Sequence, residues 1–287
     1  MAFTVQAAFA TFFDTINLKG DHRETANKRK DRIVELLSDK FDILDAFSTG
    51  SIPKFTALRQ RADLDVMVVL HHGKHIKGKT PSSLLESVQK ALSGYATRVR
   101  KNGQAVTLTF KTWPNVDIVP VSRVVNENNS VDYYNVPDAN RAVWIPSRPR
   151  KLSTEMNNRA SICGENFRRI IKMVKHWNKA HSDFLSSYHI EVMALRIYDS
   201  KIEDLPWEVF RFFDEAGKLL AGPLQYEKGN ADDYLSSSDR AEAIKRVETA
   251  TNKARDAWYE TYGSRSNHKA AITYWKQLFG DGFPTHG

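Results

Sequence analysis

The chain has 287 residues, 41% hydrophobic and 11% aromatic, enough to bury a sizeable core in one large domain or in two lobes. A net charge of +8 suits a polyanionic partner such as a nucleotide, a nucleic acid or an acidic surface, and equally an ordinary mildly basic enzyme. One cysteine, Cys163, excludes a disulfide framework and a multi-cysteine zinc ribbon; with no signal-peptide pattern and no run of transmembrane length, a cytoplasmic chain with no membrane contact is expected.

Val5, Phe9, Phe12, Phe13 and Ile16 fall at helical spacing, followed by a polar break from Asn17 to His22. A second helix is predicted over 25–40, burying Ile33, Leu36 and Leu37, and running straight into Thr49–Leu70 as helix, turn, strand. There Gly50-Ser51 precedes Ile52-Pro53 in a tight connection, and Leu64-Asp-Val-Met-Val-Val-Leu70 reads as a central strand. Alternation puts Asp63 and Asp65 on one face with Met67 and Val69, and Leu64, Val66, Val68 and Leu70 on the other. His71, His72 and His75 lie in a glycine-interrupted basic stretch without acid or cysteine, which reads as a mobile solvated loop rather than a zinc site.

A helix capped by Thr80-Pro81 should bury Leu84, Leu85, Val88 and Leu92. Tyr95–Arg100 and Val106–Phe110 are joined through Asn102-Gly103, a hairpin signal. Past Trp113-Pro114-Asn115, the run Val116–Val121 is another strand, with Asp117 as an acid among apolar neighbours. Further helices are predicted over 165–181, from Leu205-Pro206-Trp207 onward, over 238–262 and over 266–279. The one at 165–181 carries Arg168, Lys172, Lys175 and Lys179 on a single face, as a basic stripe opposite its apolar side.

Two carboxylates on one face of a buried strand repel each other and lose hydration, and a hard divalent cation relieves both problems. A bare Asp-x-Asp is also compatible with exposed acids at a strand start. Asp117, about fifty residues later on a strand that can lie beside theirs, supplies a third oxygen ligand. Three convergent carboxylates can hold two Mg²⁺ ions about 3.5–4 Å apart, which is phosphoryl-transfer chemistry. Gly50 permits close backbone approach, and Ser51 offers a hydroxyl and an N–H to phosphate oxygens.

Gly50-Ser51, Thr56-Ala57, Asp63-x-Asp65 and Asp117 together resemble the signature of the polymerase-β-type nucleotidyltransferases. More narrowly they resemble the branch holding the 2′-5′-oligoadenylate synthetases, cyclic GMP-AMP synthase and the bacterial cGAS/DncV-like enzymes, the CD-NTases of CBASS anti-phage systems. Ile171-Lys-Met-Val-Lys-His-Trp177 is similar to the oligoadenylate synthetase helix whose lysine contacts the triphosphate, and Ser187-Tyr-His-Ile-Glu191 to the helix start that follows it. Phe279-Gly-Asp-Gly-Phe-Pro284 is similar to the ending of the bacterial enzymes. Ala62 stands where a serine is common, and Gly222-Pro223 stands where Asp-Pro is common.

The resemblance implies an α+β, bilobal polymerase-β-like fold, with a mixed-sheet lobe packed on a helical lobe and the active site in the cleft. The expected division is 1–160 for the nucleotidyltransferase lobe with the N-terminal helices, and 161–287 for the helical lobe. It implies Asp63, Asp65 and Asp117 as catalytic residues and ligands of two Mg²⁺ ions, with Mn²⁺ as a substitute. Thr49, Gly50, Ser51, Lys172, Lys175 and Ser187 would bind the nucleotide, and Tyr188 would stack on a base. Substrates would be ATP, GTP, UTP or CTP, and the product a cyclic di- or trinucleotide acting in anti-phage signalling. A linear 2′-5′ synthetase, a transferase acting on RNA ends or on a protein, and an inactive nucleic-acid-binding module are the alternatives. The chain is expected to be a monomer, open to C-terminal conjugation at Gly287 or to regulatory protein partners, with a nucleic-acid activator permitted by the charge but not required. Loops at 144–151 and 222–230 are expected to select the bases.

Overall fold

A computed structural model of the chain describes residues 3–18, 21–59, 63–227 and 229–286. Helix α1 (Val5–Ile16) begins where Thr4 accepts from the Ala7 N–H, and α2 (Asp21–Ser38) follows. Then come β1 (Ile43–Thr49), β2 (Leu64–Leu70), the single turn α3 (His72–His75) and α4 (Pro81–Ala91), capped as expected by Thr80 on the Ser83 N–H. Strands β3 (Arg98–Asn102), β4 (Ala105–Thr109), β5 (Val116–Val125), β6 (Val131–Asp138) and β7 (Val143–Ser147) complete the first half. Helices α5 (Pro149–Cys163), α6 (Asn166–Ala180), α7 (Ser187–Ile197) and α8 (Leu205–Leu220) lead to a small hairpin of β8 (Gln225–Tyr226) and β9 (Gly229–Asn230), then to α9 (Ser237–Tyr259) and α10 (His268–Phe279). No helix among the described residues is long and apolar enough to cross a membrane.

The chain divides into two units. One groups the described residues of Leu18–Ala57 and Arg61–Thr154, the other those of Met1–Asn17, Leu58–Gln60 and Glu155–Gly287. The first unit is built on a mixed sheet in the order β1-β2-β5-β4-β3, with β6 pairing the far half of β5 and β7 pairing β6. Only the β2–β5 pairing is parallel among them; the others are antiparallel. As the alternation predicts, Leu64, Val66, Val68 and Leu70 enter the main core with Ile33, Leu37, Leu84, Leu85 and Val88 from α2 and α4. Met67 and Val69 face a smaller cluster with Val121, Tyr134 and Val136.

Three expectations are corrected in this unit. The second helix does not feed the Gly50-Ser51 turn; β1 intervenes and pairs with β2. The stretch 144–151 is not a loop but β7 followed by the start of α5. The 71–79 stretch is ordered by its histidines. His71 accepts from the Lys74 N–H at 3.3 Å, and His75 Nε2 accepts from the Asp42 N–H at 2.9 Å.

In the second unit α6 is covered on almost every side. Phe167, Ile170, Ile171, Met173 and Val174 are fully buried, and so are Lys172 and Lys175. The expected basic stripe is therefore no solvated face. Helix α1 belongs to this unit and not to a sheet lobe of residues 1–160, because its aromatic face is buried here. Phe9 meets Trp275 edge to face at 4.9 Å, and Phe12 packs on Phe279 at 4.8 Å and Phe283 at 5.2 Å. The Phe279–Pro284 ending thus has a packing role, with Gly280 at φ +81 turning Phe283 back onto Phe279. Gly287 lies outside the described residues. Phe12→Ala is expected to destabilise the protein by about 3–5 kcal/mol in denaturant unfolding, and a loss below about 1 kcal/mol would contradict this placement of α1.

Candidate active site

Parallel pairing of β2 with β5 sets Asp65 opposite Asp117, a register no sequence pattern announces. The flanking pairings extend the row, since Thr49 on β1 opposes Asp65 and Thr107 on β4 opposes Asp117. Four polar residues, Thr49, Asp65, Asp117 and Thr107, therefore stand side by side on one face of the sheet. The Thr107 hydroxyl donates to Asp117 Oδ1, which orients that carboxylate. Asp63 sits exposed just ahead of β2, beside Asn115; the Asn115 carbonyl accepts from the Leu64 N–H and its side chain accepts from the Phe110 N–H.

Gly50 follows Thr49 directly at φ +72, and a Cβ placed there would lie 1.8 Å from Asp65 Oδ2. Only glycine lets the turn close over that carboxylate. Thr56 N–H bonds back to the Ser51 carbonyl, and Arg23 from α2 donates to the Ile52 carbonyl at 3.1 Å while covering the Phe55 ring. Lys54, in the same turn, is buried and its charge acts on Asp65. Lys54, Thr107 and Asn115 are the site residues that sequence reasoning missed. Lys54 was open to inference from its place between Gly50-Ser51 and Asp63, but the other two depend on strand register.

Burial, then the charges of Asp117 and Asp63, push the Asp65 carboxyl up to about 7, with Lys54 opposing. Asp63 is also raised, by desolvation and then by Asp117, while Asn115 opposes. The folded state thus retains a proton on Asp65 that the unfolded chain releases near pH 4. Ionisation penalises the folded state increasingly from about pH 4 to about pH 7 and by a constant amount above it. In EDTA, Asp65→Asn should therefore stabilise the protein by up to about 4 kcal/mol at pH 8 and by little at pH 4. Thermal unfolding at the two pH values measures this; an equal effect at both would refute the coupling.

Among the described residues, no three His, Cys, Asp or Glu side chains are gathered into a formed metal-ligand set. Asp63, Asp65 and Asp117 are coupled through their charges instead. Their donor chemistry, three mutually repelling carboxylates of which Asp65 and Asp117 are partly buried, fits a hard divalent cation.

The remaining predicted residues lie in the other unit. Lys175 Nζ is 2.7 Å from Glu191 Oε1, with both side chains almost wholly buried between α6 and α7. The Lys172 ammonium bonds to Asn17 Oδ1, at the end of α1. Ser187 is the exposed first residue of α7, whose N-cap is its neighbour Ser186, accepting from the His189 N–H at 3.1 Å. Tyr188, 41% exposed, stands edge to face with Tyr226.

Residues 3–159 match the family model for the Second Messenger Oligonucleotide or Dinucleotide Synthetase domain. A probable cyclic nucleotide synthase of Bacillus cereus (strain VD146) is 28% identical over 225 residues, covering 73% of this chain and 62% of that protein. The CBASS oligonucleotide cyclase CdnC of Escherichia coli (strain KTE188) is 26% identical over 206 residues, covering 67% of this chain and 64% of the relative. The matched region thus spans less than two thirds of the length of these relatives. The solved structure of E. coli MS115-1 CdnC with ATP superposes with a TM-score of 0.78 at 20% identity, over 96% of this chain and 98% of that one. The α+β fold with a mixed sheet is therefore the one expected from the sequence.

Proposed function

Because the chain belongs to the Second Messenger Oligonucleotide or Dinucleotide Synthetase family, we propose that it joins nucleoside triphosphates into a cyclic di- or trinucleotide with release of pyrophosphate. The observation that carries this reading is the in-register pairing of Asp65 with Asp117, closed over by Gly50. A ribose hydroxyl oxygen attacks the α-phosphorus of a second nucleotide, the bond to the β-phosphate bridging oxygen breaks, and pyrophosphate leaves. Asp117, oriented by Thr107, accepts the hydroxyl proton. Asp63, Asp65 and Asp117 would hold Mg²⁺, which when bound lowers the pKa of the attacking hydroxyl and neutralises the leaving pyrophosphate.

Thr49, Gly50 and Ser51 hold phosphate oxygens through the turn, and Ser187 does so from the exposed start of α7. Lys172, bonded to the uncharged Asn17, contributes positive charge toward the triphosphate, whereas the charge of Lys175 is balanced by Glu191 and serves to hold α6 against α7. Tyr188 stacks on a base. The same cycle repeated on the linear intermediate closes the ring. The match to a relative named as a CBASS cyclase supports a signalling role for the product in anti-phage defence.

Incubation of the purified protein with four labelled nucleoside triphosphates and Mg²⁺, followed by phosphatase, tests this. Phosphatase-resistant small products are expected. Products that phosphatase converts to linear oligomers stripped of their terminal phosphates, with only internal phosphodiesters left, would indicate a linear synthetase, and an absence of turnover would remove the reading.

A further inference from the structure

Two tyrosines from one short segment grip the first turn of α7. The Tyr234 hydroxyl accepts from the Ser186 N–H at 2.7 Å and contacts His189 Nδ1 at 3.0 Å, which fixes the helix start. Eight residues earlier, Tyr226 on β8 meets the Tyr188 ring at 5.9 Å with an interplanar angle of 80°. Tyr226 is itself immobilised. Its hydroxyl donates to Glu155 Oε2 of α5 at 2.7 Å, and the adjoining Gln225 carbonyl accepts from Arg196 of α7 at 2.9 Å. Behind the hairpin, Asp232 accepts from the Leu224 N–H at 2.9 Å and pairs with Arg240, while the Ala231 N–H bonds to the Leu224 carbonyl.

An exposed tyrosine ring alone is a poor platform, because a base that stacks on it must also freeze its rotation. An edge-to-face neighbour anchored at its far end removes that freedom beforehand. Resting on the reading of Tyr188 as the ring on which a base stacks, we infer that Tyr226, held by Glu155, is a positioning residue for nucleobase recognition: it fixes the Tyr188 ring in its stacking orientation. The segment carrying Gln225 and Tyr226, expected from the sequence to be a loop, thus braces the ring on which the base stacks. Its effect is confined to the base and does not extend to the phosphates, which other residues hold.

The test is equilibrium binding to the full chain with two probes, α,β-methylene ATP, whose α–β bond resists cleavage, and inorganic tripolyphosphate. Tyr188→Ala is expected to weaken the methylene analogue about tenfold, and Tyr226→Leu by several-fold, with tripolyphosphate affinity unchanged in both. Tyr226→Phe, which keeps the ring and loses only the Glu155 bond, should fall between wild type and Tyr226→Leu, so the inference stays testable should the leucine variant misfold. If Tyr188→Ala leaves analogue binding intact, the reading of Tyr188 itself is wrong. If Tyr188→Ala weakens binding but both Tyr226 variants match wild type, only the role of Tyr226 is overturned. An equal loss of tripolyphosphate in the Tyr226 variants would make that role merely architectural and overturn it as well.

Discussion

Replacing Asp63 and Asp65 together by asparagine is expected to lower nucleotide turnover by at least about 10³-fold, with far-UV circular dichroism unchanged. The size of the effect follows from the charge count. Asparagine keeps the shape and one oxygen of each side chain but removes the two negative charges that balance a divalent cation beside a polyanionic substrate. The fold should tolerate the change, because Asp63 is exposed and Asp65 is a source of repulsion against Asp117. Turnover within tenfold of wild type would show that catalysis does not run through these carboxylates.

Gly50→Ala is expected to cost about 10²-fold in turnover for a different reason. The new methyl group would sit 1.8 Å from Asp65 Oδ2 and 3.3 Å from Asp65 Cβ, so the carboxylate must leave its position or the turn must lift from the strand. Either movement misplaces a charge where displacements of about 1 Å are costly. The positive φ adds strain of its own, and Gly78 separates the two effects. It has φ +77, but a Cβ added there would meet nothing within 4 Å. Gly78→Ala should therefore lower stability modestly and leave turnover intact. Similar activity losses in both variants would assign the effect to backbone strain instead of to crowding at Asp65.

Part of the site is legible in the sequence because strand alternation places Asp65, Met67 and Val69 on one face of β2, whereas Asp63 stands just ahead of the strand. What alternation cannot supply is the neighbour. That Asp117 falls opposite Asp65, and Thr107 opposite Asp117, is a property of parallel and antiparallel registers formed between distant segments. Strand β1 escapes detection because Asp45 interrupts its apolar run and the pairing is irregular between Ile43 and Asp45. The strands β6 and β7 are short of regular alternation, with Pro137 and Pro146 within them.

The basic face of α6 shows the converse limit. Period 3.6 correctly groups Arg168, Lys172, Lys175 and Lys179, but periodicity does not say whether a face meets water or a partner. Here Asn17 and Glu191 meet Lys172 and Lys175, so two of the four are buried. Assignment of α1 to a unit fails for a related reason. Its aromatic positions do form a buried stripe, while the surface that covers them, Trp275, Phe279 and Phe283, lies more than 260 residues further along.

Cation binding by Asp63, Asp65 and Asp117 can be read without turnover. Electron paramagnetic resonance of Mn²⁺ titrated into the protein without nucleotide, which would itself chelate the ion, reports free ion, and uptake is expected to strengthen as pH rises through about 7, where Asp65 loses its proton. Asp65→Asn and Asp117→Asn should each abolish most of that uptake. Uptake that is undiminished in both variants, or that weakens with rising pH, would contradict the assignment of these carboxylates.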